Sequence, residues 1–95
     1  MFEQGYLESE LLRVDGELAY RSGDRDAAAE SLGGAAEVAA ARGADWMELR
    51  ALTALATRFP DDAVRARLAA RLESLPSGYD LPAYRAAKSL LARPG

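Results

Sequence analysis

The chain has 95 residues and a net charge of -3, with neither cysteine nor histidine. That composition excludes disulfides, thiolate or imidazole metal sites, histidine-assisted nucleophiles and histidine pH switches. The acidic balance argues against a general nucleic-acid or anionic-membrane binder, and no apolar run approaches the roughly 20 residues that cross a bilayer. Isoleucine is absent, only Val14, Val38 and Val64 are valine, and alanine and leucine carry most of the apolar content. This mixture favours helix over strand. The N-terminus "MFEQGYLESE" lacks the basic and apolar regions of a signal peptide, so a cytoplasmic protein is expected. Lys88 is the single lysine among many arginines and asparagine is missing, a usage that fits a GC-rich bacterial coding bias.

In the first predicted helix Leu7, Leu11, Val14 and Leu18 recur at steps of four, three and four and define one apolar face. Opposite them Glu10, Arg13, Glu17 and Arg21 alternate in sign at helical spacing and read as an exposed, locally paired face. Gly23 is a C-terminal stop, and Asp24 can cap the next helix.

The second helix sets Ala28, Leu32, Ala35 and Ala39 on one stripe and stops at Gly43. Gly33-Gly34 interrupts it, each glycine costing roughly 1 kcal/mol against alanine; close helix approach or simple sequence drift is the simpler explanation and a hinge the sharper one.

The third helix begins at "ADWMEL", where Asp45 and Glu48 form an acidic capping box ahead of Leu49, Leu52, Ala56 and Phe59, and Pro60 ends it. Asp61 or Asp62 opens a fourth helix with the stripe Val64, Leu68, Leu72 and Leu75, stopped by Pro76.

A fifth helix follows in "SGYDLPAYRAAKSLL". Asp80 reads as its N-cap, Tyr79 and Tyr84 as a hydrophobic staple and Pro82 as a first-turn residue, with Tyr84, Ala87 and Leu91 on the buried side. Five helices of about 10 to 19 residues with short connections force antiparallel neighbours.

The fold class expected is therefore all-α, one domain of antiparallel helical hairpins. Over residues 9–42, Leu12, Gly16 at the helix crossing, Ala19, the turn glycine Gly23, Ala28, Leu32 and Ala35 resemble a tetratricopeptide repeat. Trp46 and Leu49 continue the register in a degenerate second copy. The expected organisation is repeat one over about 6–43, repeat two over about 45–75 and a capping helix over about 80–92.

Glu10-Leu11-Leu12-Arg13, Gly16-Glu17, Gly23-Asp24, Ala40, Arg42-Gly43-Ala44, Glu48-Leu49-Arg50-Ala51 and the tail Gly78-Tyr79-Asp80, Leu81-Pro82, Ala87-Lys88 and Leu90-Leu91 carry a wider likeness. Together they resemble the C-terminal helical repeats of large bacterial signal-transduction ATPases. In that family a cyclase or DNA-binding domain precedes an ATPase module and a tetratricopeptide-like array. The resemblance implies a non-enzymatic interaction or scaffold module at the end of such a chain. The chain contains no Walker loop, so no catalytic residue carries over, and no cofactor or metal is implied.

Glu8, Glu10, Asp15 and Glu17 interleave with arginines, which makes them a polar face and not an acid-base pair. Arg58, Arg65, Arg67 and Arg71 read as a solvated face, because Asp61, Asp62 and Glu73 flank them and no aromatic platform intervenes. In such repeats the first helix of each pair lines a concave partner groove. By register that assigns Glu10, Arg13, Glu17, Tyr20 and Arg21, with Glu48 added from the third helix. A protein partner or upstream domains of a longer chain are expected, and so is self-association through an uncovered apolar helix. The alternative from another class is a small bundle that dimerises as a regulatory accessory protein.

Overall fold

The computed structural model describes residues 4–75 and 82–92, with side chains from residue 7 onward. Five α-helices follow in chain order: α1 (Gln4–Arg21), α2 (Arg25–Ala41), α3 (Asp45–Arg58), α4 (Asp62–Ser74) and α5 (Pro82–Ala92). Among the described residues no strand occurs, and no helix is long and apolar enough to cross a membrane.

The first two connections are built alike. Gly23 and Gly43 take the left-handed conformation, at φ 89° and 67°. The Asp24 amide reaches back to the Ala19 carbonyl at 2.9 Å and the Ala44 amide to the Ala39 carbonyl at 2.9 Å. These six-to-one closures satisfy the last carbonyls of one helix while the next begins. Asp24 then caps α2, its Oδ1 accepting from the Ala27 amide at 3.1 Å. Asp61 does the same for α4, accepting from the amides of Ala63 at 2.7 Å and Val64 at 3.4 Å.

The acidic capping box does not form. The N-cap of α3 is Ala44, which offers no side-chain hydrogen bond, and Asp45 is already the first helical residue. Closure of the Gly43 turn sets Ala44 at that position, and Asp45 and Glu48 are left to reach α4.

The stripes of α2, α3 and α4 supply the core, except that Phe59 caps α3 and packs on Tyr20 instead, and Val64 and Leu72 are only partly buried against it. Ala28, Leu32, Ala35 and Ala39 are fully buried, as are Leu49, Leu52 and Leu68, with Ala56 and Leu75 nearly so. On α5 Ala87 is fully buried, and Tyr84 and Leu91 pack against the same cluster. Pro76, Tyr79 and Asp80 lie outside the described residues, and with Tyr79 so does the staple expected between Tyr79 and Tyr84.

On α1 the expected faces are exchanged. Leu7, Leu11, Val14 and Leu18 are all exposed. The helix instead turns Ser9, Leu12, Gly16 and Ala19 inward and Glu10, Arg13 and Glu17 toward α3. The cause is steric. A Cβ on Gly16 would stand 2.6 Å from Leu32 Cγ, so α1 and α2 cross at a distance only glycine allows. Beside that crossing the fully buried Ser9 donates its hydroxyl to the Ala35 carbonyl at 2.9 Å. Small residues at 3–4 spacing thus bring the backbones together where leucines would hold them apart.

The close approach is made by Gly16, where the repeat register set the helix crossing, and not by Gly33-Gly34, for which drift is the simpler of the alternatives left. Helix α2 runs through the glycine pair without a break. A Cβ at Gly33 would meet open space, and one at Gly34 would make ordinary contact with Leu12 at 3.6 Å.

Packing follows a regular order. Helix α3 lies at the centre and touches every other helix; α1 pairs with α2, and α4 with α5. The odd-numbered helices α1, α3 and α5 are consequently side by side.

Candidate functional site

A groove of about 340 Å³ runs along those three helices. Arg13 and Glu17 line it from α1, Arg50, Thr53, Ala54, Thr57 and Arg58 from α3, and Pro82 and Ala83 from α5. The α3 residues recur at the 3–4 spacing of a single helix face, opposite the buried Leu49, Leu52 and Ala56. Thr53 and Thr57 donate their hydroxyls to the carbonyls of Leu49 and Thr53, each at 2.7 Å, so their donors are satisfied within α3.

Ion pairs across the helices set the groove wall. Glu10 sits between two guanidinium groups, 3.0 Å from Arg13 and 3.1 Å from Arg50. Glu17 receives a fork from Arg58, with Nη2 at 2.9 Å and Nε at 3.5 Å. The hydrogen bond that Arg13 donates to Glu10 raises its pKa above the usual value against partial desolvation, and the bond that Arg58 donates to Glu17 does the same for Arg58. Both remain cations at any physiological pH.

Tyr20 closes one end of this wall. Phe59 meets it edge-on with ring centroids 5.8 Å apart. The Arg58 guanidinium lies 4.6 Å from the centre of the tyrosine ring and that of Arg25 5.5 Å away, and Arg25 also covers Phe59 at 5.1 Å. Cation–π contacts of this kind tie the ends of α1, α2 and α3 together. At the other end Trp46 and Tyr84 pack with ring centroids 6.4 Å apart, which joins α3 to α5.

From α1 the structure therefore sets Arg13 and Glu17 in the groove lining, while Glu10 and Tyr20 border it through their contacts with Arg50 and Arg58. Arg21 is exposed at the last residue of α1 and does not line the groove. Glu48 faces elsewhere. Its side chain is only 6% exposed and lies between α3 and α4, 3.4 Å from Arg67 and 3.1 Å from Arg71. Arg67 also holds Glu37 at 2.8 Å and Arg71 holds Asp45 at 3.3 Å, giving a five-residue network. A carboxylate this sequestered needs both partners, since either alone would leave a charge poorly compensated.

This network also corrects the reading of the arginines as a solvated face. Arg67 and Arg71 serve Glu48, Arg58 serves Glu17, and Arg65 donates to the carbonyls of Leu90 and Leu91, each at 3.4 Å, at the end of α5. Their role is to join helices.

Arg50, Thr53, Ala54 and Thr57 were not identified as groove residues from the sequence. The available signal was their recurrence on α3 at the side opposite the leucines. It became informative only once α1 and α5 were known to flank that side.

Comparisons with protein-family models, with curated proteins and with solved structures found no match for the chain.

Proposed function

We propose that the chain is a non-enzymatic protein-interaction module made of two tetratricopeptide-like hairpins, α1–α2 and α3–α4, closed by α5. Its setting on this reading is the C-terminal end of a bacterial signal-transduction ATPase or transcriptional regulator. The observation that carries the interaction reading is the groove shared by α1, α3 and α5. Alternate helices lining one continuous groove is the arrangement by which stacked hairpins present a partner surface. The Gly16 crossing inside the first hairpin and the sequence likeness quoted above support the same reading.

In the groove wall three guanidinium groups, Arg13, Arg50 and Arg58, meet two carboxylates, Glu10 and Glu17, which leaves one positive charge in excess. That balance suits a peptide segment carrying acidic groups, with Ala54, Ala83 and Pro82 offering apolar contact between them. The fit is to an extended segment a few residues long, since the groove is open and shallow in comparison with an enzyme cavity.

The test is selection of peptides against the purified chain, with the winners mapped by amide chemical-shift changes. Shifts centred on Arg50, Thr53, Ala54 and Thr57, and loss of binding in a Thr57→Arg variant, are the expected result. Thr57 is exposed, so that substitution blocks the groove without disturbing the core. Winners that bind the Thr57→Arg variant unchanged would remove the groove as the interaction site.

A further inference from the structure

The strongest surface feature outside the groove is the outer face of α1. Leu7, Leu11, Val14 and Leu18 are 59%, 56%, 44% and 54% exposed. Single exposed leucines are ordinary, but four adjoining large apolar side chains on one helix face mark an interaction surface.

Their spacing says what kind. Steps of four, three and four are those of a coiled-coil seam, with Leu11 and Leu18 at a positions and Leu7 and Val14 at d. Ser9 and Gly16 then fall at f, the positions opposite the seam, and these are the residues that α2 covers. The seam therefore points away from the rest of the molecule, along about 16 Å of helix.

The flanks say what covers it. Glu8 and Asp15 occupy the e positions and Glu10 and Glu17 the g positions, so every flanking charge is acidic. In a parallel pairing of two copies g would face e of the partner; in an antiparallel pairing e would face e and g would face g. Both arrangements set carboxylate against carboxylate. Glu10 and Glu17 are partly neutralised by Arg50 and Arg58, whereas Glu8 and Asp15 are exposed. Like-charge juxtaposition of this sort works against a second copy and in favour of an opposite-charge partner.

We propose that α1 docks an amphipathic helix of another polypeptide, with apolar residues at 3–4 spacing on its seam and lysine or arginine at its flanking positions. The apolar stripe supplies the contact area and the acidic flanks supply the selectivity and register. Because α1 is already held by α2 and α3, only the incoming helix has to be ordered on binding. Glu17 borders both surfaces, but none of Leu7, Leu11, Val14, Leu18, Glu8 and Asp15 lines the groove, so a test on those residues does not depend on that reading.

Two synthetic four-heptad peptides make the probe. Both carry leucine at a and d; one has lysine at e and g and the other glutamate. By fluorescence anisotropy the lysine peptide is expected to bind at least about tenfold more tightly, with the difference shrinking at high salt. The double variant Leu11→Asn/Leu18→Asn should lose that binding while keeping its helical circular dichroism, since both positions are exposed. Glu8→Lys/Asp15→Lys should narrow or invert the preference, and Thr57→Arg in the groove should leave it unchanged. Equal affinity for the two peptides, absence of binding to both, or binding that survives the leucine substitutions would overturn the proposal. So would sedimentation equilibrium showing a wild-type dimer that the leucine substitutions dissociate, because the occupant would then be a second copy.

Discussion

Glu48 of α3 and Arg71 of α4 meet at 3.1 Å, and the carboxylate is almost entirely withdrawn from water. The arginine Nε is itself buried and is not aligned for a hydrogen bond, so the contact is an ion pair held by position. Replacing Glu48 by alanine is expected to cost about 2–3 kcal/mol, because Arg67 and Arg71 would lose their shared anchor. Glu48→Met leaves the same two arginines without their anchor but fills the space, so it should cost less than Glu48→Ala by the packing share alone. Urea midpoints at unchanged slope would measure both. Equal losses in the two variants would mean that the charge pair, and not packing, dominates at this position.

Gly16→Ala sets two effects against each other. Alanine gains about 1 kcal/mol of helix propensity, whereas overpacking a filled site typically costs about 1–3 kcal/mol. Leu32 is fully buried and cannot swing aside, and a Cβ would also come within 3.1 Å of its backbone nitrogen. Net destabilisation is expected. Combining it with Leu32→Ala should cost less than the sum of the two single changes, the signature of a shared contact.

Gly33→Ala and Gly34→Ala should act in the opposite sense. Neither added Cβ would clash, and α2 is continuous through both positions. Each substitution is expected to stabilise by up to about 1 kcal/mol and to raise Tm by several degrees. A lowered Tm at Gly33 would show that the glycine pair is needed for a conformation other than this one.

Asp61 and Asp45 are both acids at a helix start but have different roles. Asp61→Ala removes an N-cap that accepts two amide hydrogen bonds and should cost about 1 kcal/mol. Asp45→Ala removes only a half-exposed contact with Arg71 and should cost less than about 0.5 kcal/mol. Thermal unfolding of the two variants side by side decides this, and reversed losses would reinstate Asp45 as the cap of α3.

The Glu17–Arg58 fork is partly exposed on both sides. A double-mutant cycle with Glu17→Gln and Arg58→Gln is expected to give a coupling of about 0.5 kcal/mol that falls with added salt. Arg58→Lys should not restore it, since lysine lacks both the second hydrogen bond and the planar face that covers Tyr20. Full recovery with lysine would reduce the contact to simple charge attraction.

The sequence by itself determined five helices, their order, the turns at Gly23 and Gly43, the cap at Asp24, the start of α4 at Asp61 or Asp62, and most of the core stripes of α2, α3 and α4. These are local properties, set by backbone freedom at glycine, by side-chain oxygens facing free amides and by apolar periodicity within one helix. Tertiary structure decided between the two readings of α1, the leucine face and the register that sets Gly16 at the helix crossing, in favour of the second. Periodicity shows that Leu7, Leu11, Val14 and Leu18 share a face, but it cannot say what covers that face. The competing stripe of Ser9, Leu12, Gly16 and Ala19 won because small residues let α1 lie closer to α2 than leucines could. The charges followed the same logic. Glu17 has Arg21 within helical reach and still pairs with Arg58, 41 residues away, because packing against α3 turned it there. Glu48 left the expected groove for the arginines of α4, since its side of α3 faces that helix. The groove therefore became visible only with α1, α3 and α5 in place, and the exposed leucine seam only with α2 in place behind it.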